Sequence, residues 1–284
     1  MKRKRVTSKK KNLSKKELVI SEANSLRPLY SLRDDVELHP ELVRYDGIEQ
    51  VRGMTLKIIP PKTKEDIETA VFLVPRVDGG TDVRAGLVNK IKKRYFPSYK
   101  ESKRKQTTQH KGSGKLVGTT ADKHLHLSVE NKGGYPPRCS QYARAVLDWW
   151  KKNGHEVQGS QLPVNISANN CATCGDYFTV KKGFFGEPEL WYWELKCGWS
   201  PGTHLKKGKM CPPLEKVDCK PFNIWELQRQ FTHWAYQEEL GMKIHASRVL
   251  HVYKKDGEGM VVEPRTIPSW CVGMSKKLHY ASLK

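Results

Sequence analysis

The chain has 284 residues, 37% of them hydrophobic and eight of them Trp, enough for one large domain or two small ones with a real core. Its 51 Lys and Arg against 30 Asp and Glu leave a net charge of +21, which points to an anionic partner, nucleic acid before others. No apolar run approaches the roughly 18 residues of a membrane span, and the start lacks the apolar centre of a secretory signal.

The charge is uneven. Residues 1–16 carry nine Lys or Arg and no acid, and the remainder still keeps +12. Lys2, Arg3, Lys4 and Arg5, followed by Lys9, Lys10 and Lys11, have the form of nuclear localisation clusters. A mitochondrial presequence would favour Arg on an amphipathic helix, which this Lys-rich start fits less well. Residues 90–111 hold nine basic residues against Glu101 alone. There Lys92, Lys93, Arg94, Lys103, Arg104 and Lys105 are candidates to grip phosphates, with Tyr95, Phe96 and Tyr99 interleaved to stack bases.

In chain order, residues 1–25 read as a basic tail and residues 26–115 as an N-terminal accessory region or an elaboration of the core. Strand-like runs occupy residues 55–59 and 70–74, and residues 100–115 form a polar linker. The core is expected over residues 116–284. Helices are predicted over 120–130 and over 136–153, the second with Tyr142, Val146, Trp149 and Trp150 on one side and Gly154 as its stop. A strand follows over 156–166. Asn223 and Glu226 have capping-box spacing at the start of a helix whose buried stripe is Leu227, Phe231, Trp234 and Ala235, closed by Gly241. Strands over 245–253 and 259–263 end the series. The order predicts an α/β fold, a mixed central sheet flanked by helices.

Two further strands carry the chemistry. Residues 176–180 and 190–196 flank a segment with Gly183, Gly186 and Pro188, which reads as a hairpin loop. Folding about residue 185 sets Asp176 opposite Glu194. Alternation puts Glu194 and Lys196 on one face, and Trp193 and Leu195 on the other, where with Trp191 they are expected to pack into the core. Two carboxylates suit a hard cation such as Mg²⁺, and a neighbouring Lys suits charge stabilisation or water activation.

Other motifs are weaker. Seven Cys without a signal peptide imply reduced thiols. Cys171 and Cys174 have the spacing of a metal pair, but no second pair follows, and burial as small apolar side chains is the ordinary reading. Gly112, Gly114 and Lys115 fail as a phosphate loop, because Gln109 stands where its first Gly belongs and Leu116 where its Ser or Thr belongs.

In the order of Asp176, Glu194-x-Lys196 and Gln230 on a following helix, the chain resembles the PD-(D/E)XK nuclease superfamily, within it the RecB-like and lambda exonuclease-like branch. That pattern also has an early helix with a His and a downstream Glu. His126 and Glu130 share a face there, with His124 as a rival. The resemblance covers roughly residues 116–265, and Trp234 stands where the pattern has Tyr.

The resemblance implies a restriction-endonuclease-like core and metal-dependent hydrolysis of DNA, RNA not excluded. Mg²⁺ or Mn²⁺ would lie on Asp176, Glu194, the Leu195 carbonyl and His126. Lys196 would orient or deprotonate water, and Gln230 would position the metal site or the backbone. A homo-oligomer would suit a processive exonuclease. The competing expectation is a non-catalytic nucleic-acid-binding protein on a degenerate nuclease fold.

Overall fold

The computed structural model describes residues 26–28, 31–32, 54–59, 69–96, 113–198, 208–255, 257–276 and 283. The strands are β1 (Leu26–Pro28), β2 (Ser31–Leu32), β3 (Thr55–Ile59), β4 (Thr69–Pro75), β5 (Thr81–Gly86), β6 (His155–Ile166), β7 (Cys171–Lys182), β8 (Pro188–Cys197), β9 (Ile244–Lys255) and β10 (Gly259–Pro264). The helices are α1 (Leu87–Tyr95), α2 (Ser113–Glu130), α3 (Gln141–Lys152), α4 (Pro221–Glu239) and the short α5 (Ser269–Val272). No helix among the described residues is long and apolar enough to cross a membrane.

All ten strands form one mixed sheet. β6, β7 and β8 make an antiparallel meander. The chain then crosses over through α4 and returns as β9, parallel to β8. At the other end β3, β4 and β5 form a second meander, and β5 joins β7 in parallel at Ala85–Cys171 and Gly86–Ala172. β3, β4, β5 and α1 therefore share the sheet and core of the elements that follow.

Helices cover both faces. Leu227, Phe231, Ala235 and Tyr236 of α4 pack with Ile91 and Tyr95 of α1 onto Phe178, Leu190 and Tyr192. Leu125 and Val129 of α2 pack with Val146 and Trp150 of α3 onto Tyr177, Trp193 and Leu195. Alternation along β8 thus feeds two cores: even-numbered Leu190 and Tyr192 face α4, odd-numbered Trp193 and Leu195 face α2 and α3.

Helix boundaries follow local chemistry. α3 starts later than its periodicity suggests because Ser140 caps it, its hydroxyl accepting the Ala143 N–H at 3.2 Å. α4 begins at Pro221, earlier than a capping box at Asn223 requires. Asn223 donates to the Asp218 carbonyl instead, and Glu226 lies buried against Arg229 at 2.9 Å. The basic segment after residue 90 opens as α1, whose Tyr95 and Phe96 are buried in the core. They are not available to stack bases, and Tyr99 lies outside the described residues.

Candidate active site

One edge of β7 carries two different neighbours. β5 pairs with it at Cys171 and Ala172, and β8 pairs with it from Tyr177, opposite Trp193, to Lys182, opposite Pro188. Among the described residues, 173–176 have no strand partner on that edge, so β5 and β8 diverge there as a fork. Asp176 stands in the fork.

The hairpin register follows from where the turn residues lie. Gly186 takes a left-handed φ of +91° at the tip, a conformation that costs Gly little. Every β7–β8 pair is then symmetric about residue 185. The ladder stops one residue short of Asp176 and Glu194. In its place the Asp176 carboxylate accepts the Leu195 N–H at 2.7 Å.

Glu194 is fully buried on the α4 side. One of its oxygens accepts the Tyr192 hydroxyl at 2.5 Å, and the other is held by the Lys196 ammonium. Tyr192, Glu194 and Lys196 are two residues apart along one strand face, so the carboxylate is gripped from both sides. Lys196 keeps 20% of its side chain exposed and is the group of this trio that reaches water.

A third acid approaches from the opposite face. Asp122 on α2 accepts the Tyr177 hydroxyl at 2.6 Å and the Gln161 side-chain N–H at 2.7 Å. Gln161 has a φ of +51° and lies between the β6–β7 pairs Ser160–Tyr177 and Leu162–Gly175. An Asp on a polar helix ordinarily reads as solvated, which is why Asp122 draws no attention in the sequence. The available signal was its position one turn before His126 on the same helix face.

The electrostatics reflect crowded negative charge. Burial pushes the Asp176 carboxyl well above the usual carboxylate range, Glu194 adds to the shift, Lys196 opposes it, and Asp122 adds again. Burial alone would lower the Lys196 pKa, but Glu194 and Asp176 overcome it and the net shift is upward. Lys196 is therefore a cation at neutral pH.

A close contact of α4 with the sheet supports the fork. Tyr236 of α4 accepts the Gly175 N–H and donates to the Leu162 carbonyl. Gly175 has room for no side chain, since a Cβ would stand 2.6 Å from Tyr192 and 2.7 Å from the Tyr236 hydroxyl.

The other predicted residues have partners of their own. His126 bonds Ser160 at 2.7 Å and sits 3.6 Å from Glu130. His124 accepts the Ser140 N–H at 3.0 Å, a structural role at the start of α3. The Gln230 side-chain oxygen accepts from Arg229 of the same helix at 2.9 Å and from the Cys271 thiol of α5 at 3.6 Å. Lys92, Lys93 and Arg94 form the last turn of α1. Lys103, Arg104 and Lys105 lie outside the described residues.

Among the described residues, no group of three or more His, Cys, Asp and Glu side chains is arranged to hold a metal ion. Asp176 and Glu194 with the Leu195 carbonyl could still contribute to a Mg²⁺ site. That ion commonly takes one or two carboxylates and completes its shell with water and substrate phosphate. Burial pushes the Cys171 thiol up to about 11 and the Cys174 thiol higher still, which disfavours the thiolate form at this pair. No family model, no curated protein and no solved structure matches the chain.

Proposed function

We propose that the protein is a metal-dependent nuclease that hydrolyses DNA phosphodiester bonds, an exonuclease in recombination, repair or genome processing. The observation that carries this reading is the fork itself, where Asp176, Glu194 and Lys196 meet on a chain of net charge +21. Strand, Glu-x-Lys strand and crossover helix occur here in the order of the PD-(D/E)XK nuclease superfamily, which supports a restriction-endonuclease-like core.

Asp176, Glu194 and the Leu195 carbonyl would hold Mg²⁺ or Mn²⁺. When bound, the cation would lower the pKa of a water and polarise the scissile phosphate. Excess carboxylate in a buried site is relieved by such a cation, in keeping with the raised Asp176 pKa. Tyr192 and Lys196 fix the orientation of Glu194. Lys196, held protonated, neutralises charge that develops on the phosphate and orients the attacking water; it is not poised to remove a proton. His126 and Gln230 keep no part in this assignment, and Asp122 takes the third acidic position.

The clustered basic residues near the N-terminus favour the nucleus as the place of action. Digestion of single- and double-stranded DNA and RNA with Mg²⁺ tests the proposal. Wild-type cleavage lost in Asp176→Ala and Lys196→Ala supports it, and equal activity of both variants overturns it. The second reading, a nucleic-acid-binding protein without catalysis, is favoured by the lack of a three-ligand metal group among the described residues. It predicts salt-dependent binding and no cleavage.

A further inference from the structure

The tip of the β7–β8 hairpin exposes two adjacent aromatic rings that no part of the proposed hydrolysis uses. Phe184 is 93% exposed and Phe185 89% exposed, with their rings edge to face at 5.1 Å. β6 begins opposite Lys181 and β9 begins beside Leu190, so the tip projects past both neighbouring strands. Burying a Phe is among the most favourable moves available to a chain, and an exposed pair marks an interaction site.

The tip is a built loop. Gly183 donates to the Glu187 carbonyl at 2.7 Å, and Gly186 donates to the Gly183 carbonyl at 3.1 Å. The Glu187 carboxylate folds back to accept the Phe185 N–H at 3.0 Å. This closes the turn and holds both rings outward. Glu189 is likewise occupied, by Trp191 at 3.2 Å and by His245 at 3.5 Å. Among the described residues, Lys181 and Lys182 at the base of the tip form no ion pair. The hairpin thus presents two rings with two ammonium groups beside them, the Glu187 and Glu189 carboxylates at the same tip being turned to other partners, a surface able to meet bases and phosphates.

We propose that Phe184 and Phe185 form a stacking finger for single-stranded nucleic acid, with Lys181 and Lys182 holding its phosphates. Aromatic rings stack on any base, so the finger confers binding without sequence preference. The rings that the sequence offered for this task, Tyr95 and Phe96, are buried. Asp176 lies six residues before Lys182, the end of β7 at the base of the tip, about 20 Å at the rise of an extended strand. If the fork is the cleavage centre, the finger engages the strand well away from the reacting phosphate. That placement rests on the nuclease reading, whereas the stacking itself does not.

The experiment is fluorescence anisotropy with a labelled, mixed-sequence 20-nucleotide DNA in EDTA, so that binding is read without cleavage. Phe184→Ala/Phe185→Ala is expected to bind about 10- to 100-fold more weakly. Phe184→Trp/Phe185→Trp is expected to bind like wild type, with tryptophan fluorescence quenched on addition of DNA beyond the wild-type change. Full exposure of both rings makes thermal unfolding of the variants a control for folding. Unchanged affinity in the alanine variant overturns the proposal. So does unchanged DNA affinity coupled with loss of binding to anionic phosphatidylserine vesicles, which would assign the tip to a lipid surface. DNA binding that depends on the rings without Mg²⁺-dependent cleavage would sink the nuclease reading and leave the finger standing.

Discussion

The Asp176 carboxylate accepts the backbone N–H of Leu195 at 2.7 Å, one residue beyond the last ladder pair of their hairpin. A side chain thereby replaces a main-chain acceptor at the point where the sheet forks. The first acid is tied to the strand that carries the second acid and the lysine, so a change at any of them is felt by the others.

Asp176→Ala removes the acceptor and one proposed cation ligand together. Mg²⁺-dependent cleavage is expected to fall by about 10²–10³-fold or more, as for other losses of transition-state electrostatics. Measuring single-turnover rates over a Mg²⁺ series checks this. Asp176→Asn retains an acceptor for Leu195, so it should keep wild-type thermal stability while losing comparable activity.

Lys196→Ala leaves Glu194 buried with a single remaining partner, Tyr192. Breaking a buried ion pair from one side costs on the order of 3 kcal/mol, so a lowered denaturation midpoint accompanies the loss of cleavage. Lys196→Ala/Glu194→Gln should recover much of the stability and none of the activity. Urea melts of both variants beside the cleavage assay separate the two effects.

Asp122→Asn is the test of the third acid. Asn can still accept from Tyr177 or Gln161, so the fold should hold. Removing one negative charge weakens the site's attraction for a divalent cation. The Mg²⁺ concentration for half-maximal cleavage is expected to rise about tenfold, equivalent to about 1.4 kcal/mol. An unchanged Mg²⁺ dependence would leave Asp122 a purely structural partner of Tyr177.

Gly175→Ala places a methyl group where Tyr192 and Tyr236 already stand, at 2.6 and 2.7 Å. Overpacking of this kind costs about 1–3 kcal/mol, and the displaced Tyr192 is one of the two residues that hold Glu194. Both the melting temperature and the cleavage rate should drop. Calorimetry and kinetics on the same preparation give the comparison.

Acid should weaken the fold through the buried His155 and the half-buried His233. Burial and then Lys181 lower the His155 pKa to about 4, and burial followed by Arg229 and Lys276 lowers that of His233 to about 4. The folded pKa lies below the unfolded value of 6.5, so the unfolded chain binds the proton first. Stability is full above pH 6.5 and declines as pH falls toward 4. Trp193 donates to the Thr179 hydroxyl at 2.8 Å, which leaves that hydroxyl to donate to His155 Nδ1 at 3.0 Å. Protonating His155 removes that acceptor. The His155 contribution is at most on the order of 3 kcal/mol. Denaturant melts at pH 7, 6 and 5 should show the decline, and His155→Gln should flatten it.

Local physics made part of this protein legible from its residues alone. The strands 55–59 and 245–253 lie within β3 and β9, and the order from α2 to β10 follows the predicted series, because apolar period and turn residues act over a few positions. The hairpin register was likewise readable, since Gly183, Gly186 and Pro188 fix where the chain reverses and alternation sorts Glu194 from Trp193.

What brings distant segments together was not readable. Asp122 comes within electrostatic reach of Asp176 because α2 lies over Tyr177, whose hydroxyl it binds. Gln230 turns toward Arg229 and Cys271 because α5 packs on that side of α4. Tyr95 and Phe96 sink into the core beneath α4, while Phe184 and Phe185 remain outside. Each outcome depends on contacts between residues far apart in the chain, and neither periodicity nor propensity carries information about those contacts.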